Sequence, residues 1–249
     1  MLSKAQITLI SSLQNKKFRK QHGLFIVEGI KSVLEFLSSS YQVDSIFYTE
    51  DVQTKVGKIS GKIKSYPLSE NEFQKISALK SPQGILALVH IPEQKELNVA
   101  DFRSQHTLLL DDVQDPGNLG TIIRTAEWFG FQNIICSIGT VDAYNPKVVQ
   151  ATMGSLSRIH VHYVDLKAFI LAAKIPVFGA LLNGESIYQT DWPQESFIIL
   201  GNEGNGISEE IIQLVDKPVA IPRIGQAESL NVAVATTIFC SEIARTKKL

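Results

Sequence analysis

A chain of 249 residues, 44% hydrophobic and 20% charged, can build one large or two medium cores. It holds no apolar run long enough to span a bilayer. Its two cysteines, Cys136 and Cys240, lie in apolar contexts without a C-x-x-C pair, which argues against a disulfide framework and against a thiolate zinc site. The net charge of −1 conceals an asymmetry: residues 1–95 carry 13 Lys/Arg against 8 Asp/Glu, net +5, and residues 96–249 carry 11 against 17, net −6.

The N-terminal stretch MLSKAQITLISSLQNKKF is polar throughout and lacks a secretory h-region, so a reducing cytoplasm is the expected setting. Cations gather at Lys16-Lys17-Phe18-Arg19-Lys20 and again at Lys55, Lys58, Lys62 and Lys64, with no acid inside either stretch. A basic segment beside aromatic residues suits a phosphate backbone; a solvated lysine face is the plain alternative. Phe25–Val27 and Ile46–Tyr48 read as short strands, residues 30–37 as an amphipathic helix, Ser69–Leu79 as a capped helix and Gly84–His90 as a strand. The polar, irregular IPEQKELNVADFRSQ then reads as a linker. The expected organisation is a first domain over 1–95, a linker over 96–104 and a second domain over 105–249.

From His106 onward, apolar runs at 107–110, 133–138, 159–164, 176–182, 197–200 and 218–221 alternate with helical patterns. That alternation predicts an α/β fold on a mostly parallel, buried sheet. Three of the loops carry chemistry. In the first, DDVQDPGNLGTIIRTAEWFG, Leu119, Ile122, Ile123, Ala126 and Phe129 form the buried stripe of a helix. Arg124 falls off that stripe, while Asn118 can either cap the helix or face a ligand. The second, LGNEGNGIS, has glycine spacing G-x-x-G-x-G, which is neither a dinucleotide fingerprint nor a P-loop. Its Glu203 disfavours a pyrophosphate and suits a neutral or cationic nucleoside such as a sulfonium. In the third, IPRIGQAESLNVAVA, Ser229 is placed to cap a helix of small residues that packs closely on a neighbour.

Taken in this order, DPGNLGTIIRTA, LGNEGNGIS and IPRIGQAESLNVAVA resemble the three motifs of the SpoU (TrmH-type) branch of the SPOUT RNA methyltransferases, across residues 105–249. The basic half is similar, through KKFRKQHGLFIVEG, to the substrate-binding domain found upstream in that family. The resemblance implies a C-terminal SPOUT domain with a deep trefoil knot, preceded by a smaller α/β domain that binds RNA, in a cytoplasmic homodimer. It implies methyl transfer from S-adenosylmethionine to a ribose 2′-hydroxyl, in ribosomal RNA ahead of transfer RNA.

By the family's pattern Arg124 acts on the 2′-hydroxyl, and Asn118, Glu203, Ser229 and Asn231 complete the catalytic surface. The backbone at Gly201, Ile221 and Leu230 would hold the bent cofactor, and Lys16, Lys17, Arg19 and Lys20 are the candidate RNA-binding cations. A charged guanidinium has no lone pair to act as a base, so Arg124 is expected to bind phosphate and stabilise the developing alkoxide. No metal is expected, because His22, His90, His106, His160 and His162 show no ligand spacing. Two positions depart from many relatives, Arg223 in place of Met and Ala233 in place of Ser. The competing class is a non-catalytic RNA-binding dimer that retains the fold; a nicotinamide dehydrogenase lacks its glycines here.

Overall fold

The computed structural model describes residues 2–56, 60–93 and 96–246, so Lys58 lies outside the described residues. The chain divides into two compact units, Met1–Glu93 with Asp142–Ser157, and Gln94–Val141 with Arg158–Leu249.

The first unit opens with α1 (Lys4–Ser12), which begins at a capping box formed by Ser3 and Gln6. α2 (Lys16–His22) follows, capped by Asn15 and closed by Gly23 at φ +62°. That left-handed residue lets the chain turn directly into a strand. Then come β1 (Leu24–Glu28), α3 (Ile30–Leu37), β2 (Val43–Thr49), α4 (Glu50–Val56), β3 (Lys64–Leu68), α5 (Glu70–Phe73) and β4 (Ile85–His90). The sheet order is β1-β4-β2-β3, with β4 antiparallel to both neighbours and β3 parallel to β2. Pro67 is accommodated because β3 is an edge strand. Ile10, Leu13, Ile26, Phe47, Phe73 and Leu88 form the core beneath it.

The helix expected over 69–79 is a single turn. Ser69 and Glu72 do form its capping box, but the Ser77 hydroxyl bonds Glu28 and accepts the Leu79 N–H. Backbone turn bonds carry the coil on to Ser77, whose N–H donates to the Phe73 carbonyl at 3.0 Å, and the side-chain bonding at Ser77 accompanies its end.

In the second unit, the segment expected as a linker contains a 3₁₀ turn, Val99–Phe102, which buries Phe102 against Phe169. β5 (His106–Leu110), α6 (Pro116–Trp128) and β6 (Asn133–Ser137) come next. After them α7 (Pro146–Thr152) belongs to the first unit. β7 (His160–Val164), α8 (Leu166–Ala173), β8 (Val177–Ser186), β9 (Ser196–Leu200), α9 (Glu209–Ile212), β10 (Lys217–Ala220) and α10 (Val232–Thr246) complete the chain.

The six strands run in the order β10-β8-β9-β5-β6-β7, and every pairing is parallel. β5 and β9 are buried along their whole length, as strands covered on both faces must be. Leu119, Ile122, Ile123 and Ala126 are fully buried on α6, each large one contributing about 1.5–3 kcal/mol. α6 packs on α10, where Thr125 and Thr237 bring their hydroxyls to 3.3 Å, an approach that small side chains permit. Among the described residues, no helix is long and apolar enough to cross a membrane.

Candidate active site

The three chemistry-bearing loops meet in the second unit. The aspartates crowded in the first are bonded to backbone and side-chain donors of the loops themselves. Asp111, buried, accepts the Ser208 N–H at 2.8 Å, and Asp112 Oδ1 accepts Gln114 Nε2 at 2.6 Å while its backbone carbonyl accepts Asn202 Nδ2 at 2.7 Å. Asp115 caps α6, with Pro116 in the first turn and Oδ1 accepting the Asn118 N–H at 2.8 Å. Asp-Pro at a helix start was the sequence signal for this cap, and it leaves the Asn118 side chain available.

That side chain joins the three loops. Asn118 Nδ2 donates to Glu203 Oε1 at 2.9 Å, and Asn118 Oδ1 accepts from Asn231 Nδ2 at 2.9 Å. The Glu203 carboxylate also accepts the Gln114 and Asp115 N–H groups, each at 3.2 Å. Partial burial pushes the Glu203 pKa up, but the Asn118 amide and these backbone donors outweigh it. The group therefore sits below the ordinary glutamate range and is ionised at neutral pH. Asn231 Oδ1 accepts the Ala233 and Val234 N–H groups and caps α10. This corrects the expectation for Ser229: the helix starts at Val232, so the cap falls to Asn231, and Ser229 is an exposed residue of the cleft wall.

The glycine loop is shaped by two of its glycines. A Cβ on Gly201 would penetrate the backbone of Gly206 and Ile207. Gly206 takes φ +69° to close a small antiparallel bridge with Asn202. Beside this loop lies a cleft of about 710 Å³, within the range of small-ligand sites. Gly201, Ile221 and Leu230 all line it, as do Glu203, Arg223 and Glu228, and Phe239 and Val219 supply apolar wall.

Arg124 lies on α6 one turn beyond Gly120, exposed and without a hydrogen bond or ion pair among the described residues. It is therefore not part of the Glu203–Asn118–Asn231 chain. Arg19, grouped above with the RNA-binding cations, is corrected. It is 2% exposed, its Nη2 pairs with Asp142 at 2.7 Å, and its Nη1 bonds the Leu13 and Gln14 carbonyls. Its donors are used inside the first unit, and it cannot meet a phosphate. Lys16, Lys17 and Lys20 are exposed on α2 with no ion-pair partner among the described residues.

Of the histidines, His106 bonds Ser196 and His162 lies 3.2 Å from Asn133. Among the described residues, no group of three His, Cys, Asp or Glu side chains could hold a metal ion.

The SpoU rRNA Methylase family model matches residues 105–241, and the MRM3-like substrate binding domain model matches residues 4–87. The chain belongs to the SpoU rRNA methylase family. Its SpoU relatives include the 23S rRNA (guanosine(2553)-2′-O)-methyltransferase RlmP of Bacillus subtilis (strain 168), 38% identical over 230 residues, 91% of this chain and 90% of that one. A TrmH-family protein from Porphyromonas gingivalis superimposes with a TM-score of 0.90 at 37% identity, covering 99% of this chain and 100% of that one. The AdoMet-bound rRNA methyltransferase from Sinorhizobium meliloti superimposes with a TM-score of 0.87 at 29% identity, covering 100% and 97%.

Proposed function

We propose that this SpoU-family chain transfers a methyl group from S-adenosylmethionine to a ribose 2′-hydroxyl of ribosomal RNA. The observation that carries this reading is the hydrogen-bonded chain Glu203–Asn118–Asn231, which links all three family motifs beside a cleft lined by Gly201, Ile221 and Leu230. The cleft suits the cofactor: it combines apolar wall for an aromatic base with Glu203 and Glu228 for cationic groups. When bound, S-adenosylmethionine supplies an electrophilic methyl group.

The side chains of this chain do the positioning. Glu203 fixes the Asn118 amide, and Asn231 holds its other end, so Asn118 presents a defined polar face. Arg124 is the exposed guanidinium that would bind the phosphate beside the target ribose and stabilise negative charge on its 2′-oxygen, the hydroxyl proton leaving to phosphate or water and the sulfur departing as the thioether of S-adenosylhomocysteine. Ribosomal RNA is favoured because the relatives that match along their length include enzymes named for 23S rRNA.

On this reading residues 1–95 hold the RNA, residues 96–104 join the two halves and residues 105–249 carry out the transfer. Lys16, Lys17 and Lys20 contribute phosphate contacts. The catalytic half is read as a trefoil-knotted SPOUT domain from its likeness to solved TrmH-family structures. The working form is a homodimer. Trp128, 84% exposed at the end of α6, and Val234, exposed on α10, support pairing. Light scattering at micromolar concentration is expected to give about twice the 27.5 kDa of one chain, and a fully active monomer would overturn the dimer.

Calorimetry tests the cofactor. S-adenosylhomocysteine is expected to bind without added metal at micromolar affinity, roughly −8 kcal/mol. No heat at millimolar ligand, with NAD binding instead, would sink the reading.

A further inference from the structure

Arg223 is one of the two departures from the family pattern, and its place in the structure gives it a use. It stands in the 221–231 loop and lines the cleft. The residues lining that cleft include two carboxylates, Glu203 and Glu228, and a single cation, Arg223. A guanidinium has five N–H donors. Among the described residues only one is used, by the Ala227 carbonyl at 3.3 Å, and the side chain is exposed at the cleft wall.

S-adenosylmethionine carries three charges: a sulfonium, an ammonium and a carboxylate. Glu203 and Glu228 line the cleft and would supply negative charge for the two cationic groups. The anionic group has one charged candidate, because among the described residues no other cation lines the cleft. We infer that Arg223 binds the carboxylate of the cofactor's amino-acid tail, and so makes cofactor recognition depend on a side chain as well as on the Gly201, Ile221 and Leu230 backbone. This rests on the reading of the cleft as the cofactor site. Arginine suits the task, since its planar fork matches a carboxylate through two parallel hydrogen bonds, which a methionine at this position could not provide.

The test compares two ligands on one protein. S-adenosylhomocysteine keeps the tail carboxylate, and 5′-methylthioadenosine lacks the amino-acid portion while keeping the thioether and adenosine. Calorimetry on the full chain, wild type and Arg223→Met, is expected to show S-adenosylhomocysteine binding weakened roughly tenfold, as for loss of a charge-assisted bond at a partly exposed site. 5′-Methylthioadenosine affinity is expected to stay within about twofold, which also reports that the variant is folded. Arg223→Lys, which retains the charge and loses the fork, is expected to fall between wild type and Arg223→Met for S-adenosylhomocysteine alone.

Equal weakening of both ligands would mean that Arg223 only shapes the loop, and would overturn the inference. So would unchanged S-adenosylhomocysteine affinity with weakened RNA binding, which would assign the guanidinium to an RNA phosphate. If the wild type binds neither ligand, the cofactor reading of the cleft fails, and this inference fails with it.

Discussion

Arg124→Ala is expected to lower the single-turnover rate of methyl transfer by about 10²- to 10³-fold, the scale of removing one donor aimed at a developing oxyanion. S-adenosylhomocysteine affinity is expected to be unchanged, because Arg124 is not among the residues lining the cleft. Stability should also hold, because the side chain is exposed on α6 and makes no hydrogen bond or ion pair among the described residues. Arg124→Lys should fail nearly as badly, since a point charge cannot reproduce a planar fork across phosphate and 2′-oxygen. Stopped-time assays with enzyme in excess over RNA separate this from slow product release. A near wild-type single-turnover rate for Arg124→Ala would remove Arg124 from the reaction.

The second large effect separates two kinds of cation within one short helix. Arg19→Ala is expected to destabilise the protein by about 3 kcal/mol, because it leaves Asp142 and the Leu13 and Gln14 carbonyls without their partner. For a chain of this size that is a fall in melting temperature of about 6 °C or more, confined to one transition if the two units melt separately. Replacing Lys16, Lys17 and Lys20 together with Gln should leave melting unchanged. RNA binding should weaken, and the log–log salt slope should flatten by about 2 to 3 units if all three meet phosphates. Filter binding across a salt series, beside thermal melts of both variants, makes the comparison. If Arg19→Ala melts like the wild type and flattens the salt slope, the burial argument fails.

These two arginines show what the sequence could and could not disclose. The alternating apolar runs placed the strands of the six-stranded sheet, most sharply β5 and β9, which are buried along their length and so are largely apolar. The resemblance to three family motifs implied one surface for Asn118, Glu203 and Asn231, which no single loop could show, and the hydrogen bonds join them. The burial of Arg19 was not legible. Within Lys16–Lys20 every cation reads alike, and the partner that draws one inward, Asp142, lies 123 positions away. The exchange of caps between Ser229 and Asn231 has a similar origin. Both residue types cap well, and only the start of α10 at Val232 decides between them.

The packing of 142–157 with the first unit also depended on distant contacts. Tyr144 meets Phe25 at 4.8 Å between ring centroids, and no local pattern in residues 142–157 announces that partner. The three aspartates of the opening loop differ in how far their neighbours in sequence announce their roles. Asp115 before Pro116 is a cap signature, whereas the roles of Asp111 and Asp112 require knowing that Ser208 and Asn202 lie against them.

The central claim is that this chain methylates a ribose 2′-hydroxyl, and the product tests it most directly. Ribosomal RNA lacking its native modifications would be incubated with the protein and S-adenosylmethionine labelled in the methyl group, digested to nucleosides and separated by mass. The account expects label in a single 2′-O-methylnucleoside, present with the wild type and absent with Arg124→Ala. Label on a nucleobase, or no label transferred by a protein that binds both cofactor and RNA, would contradict it.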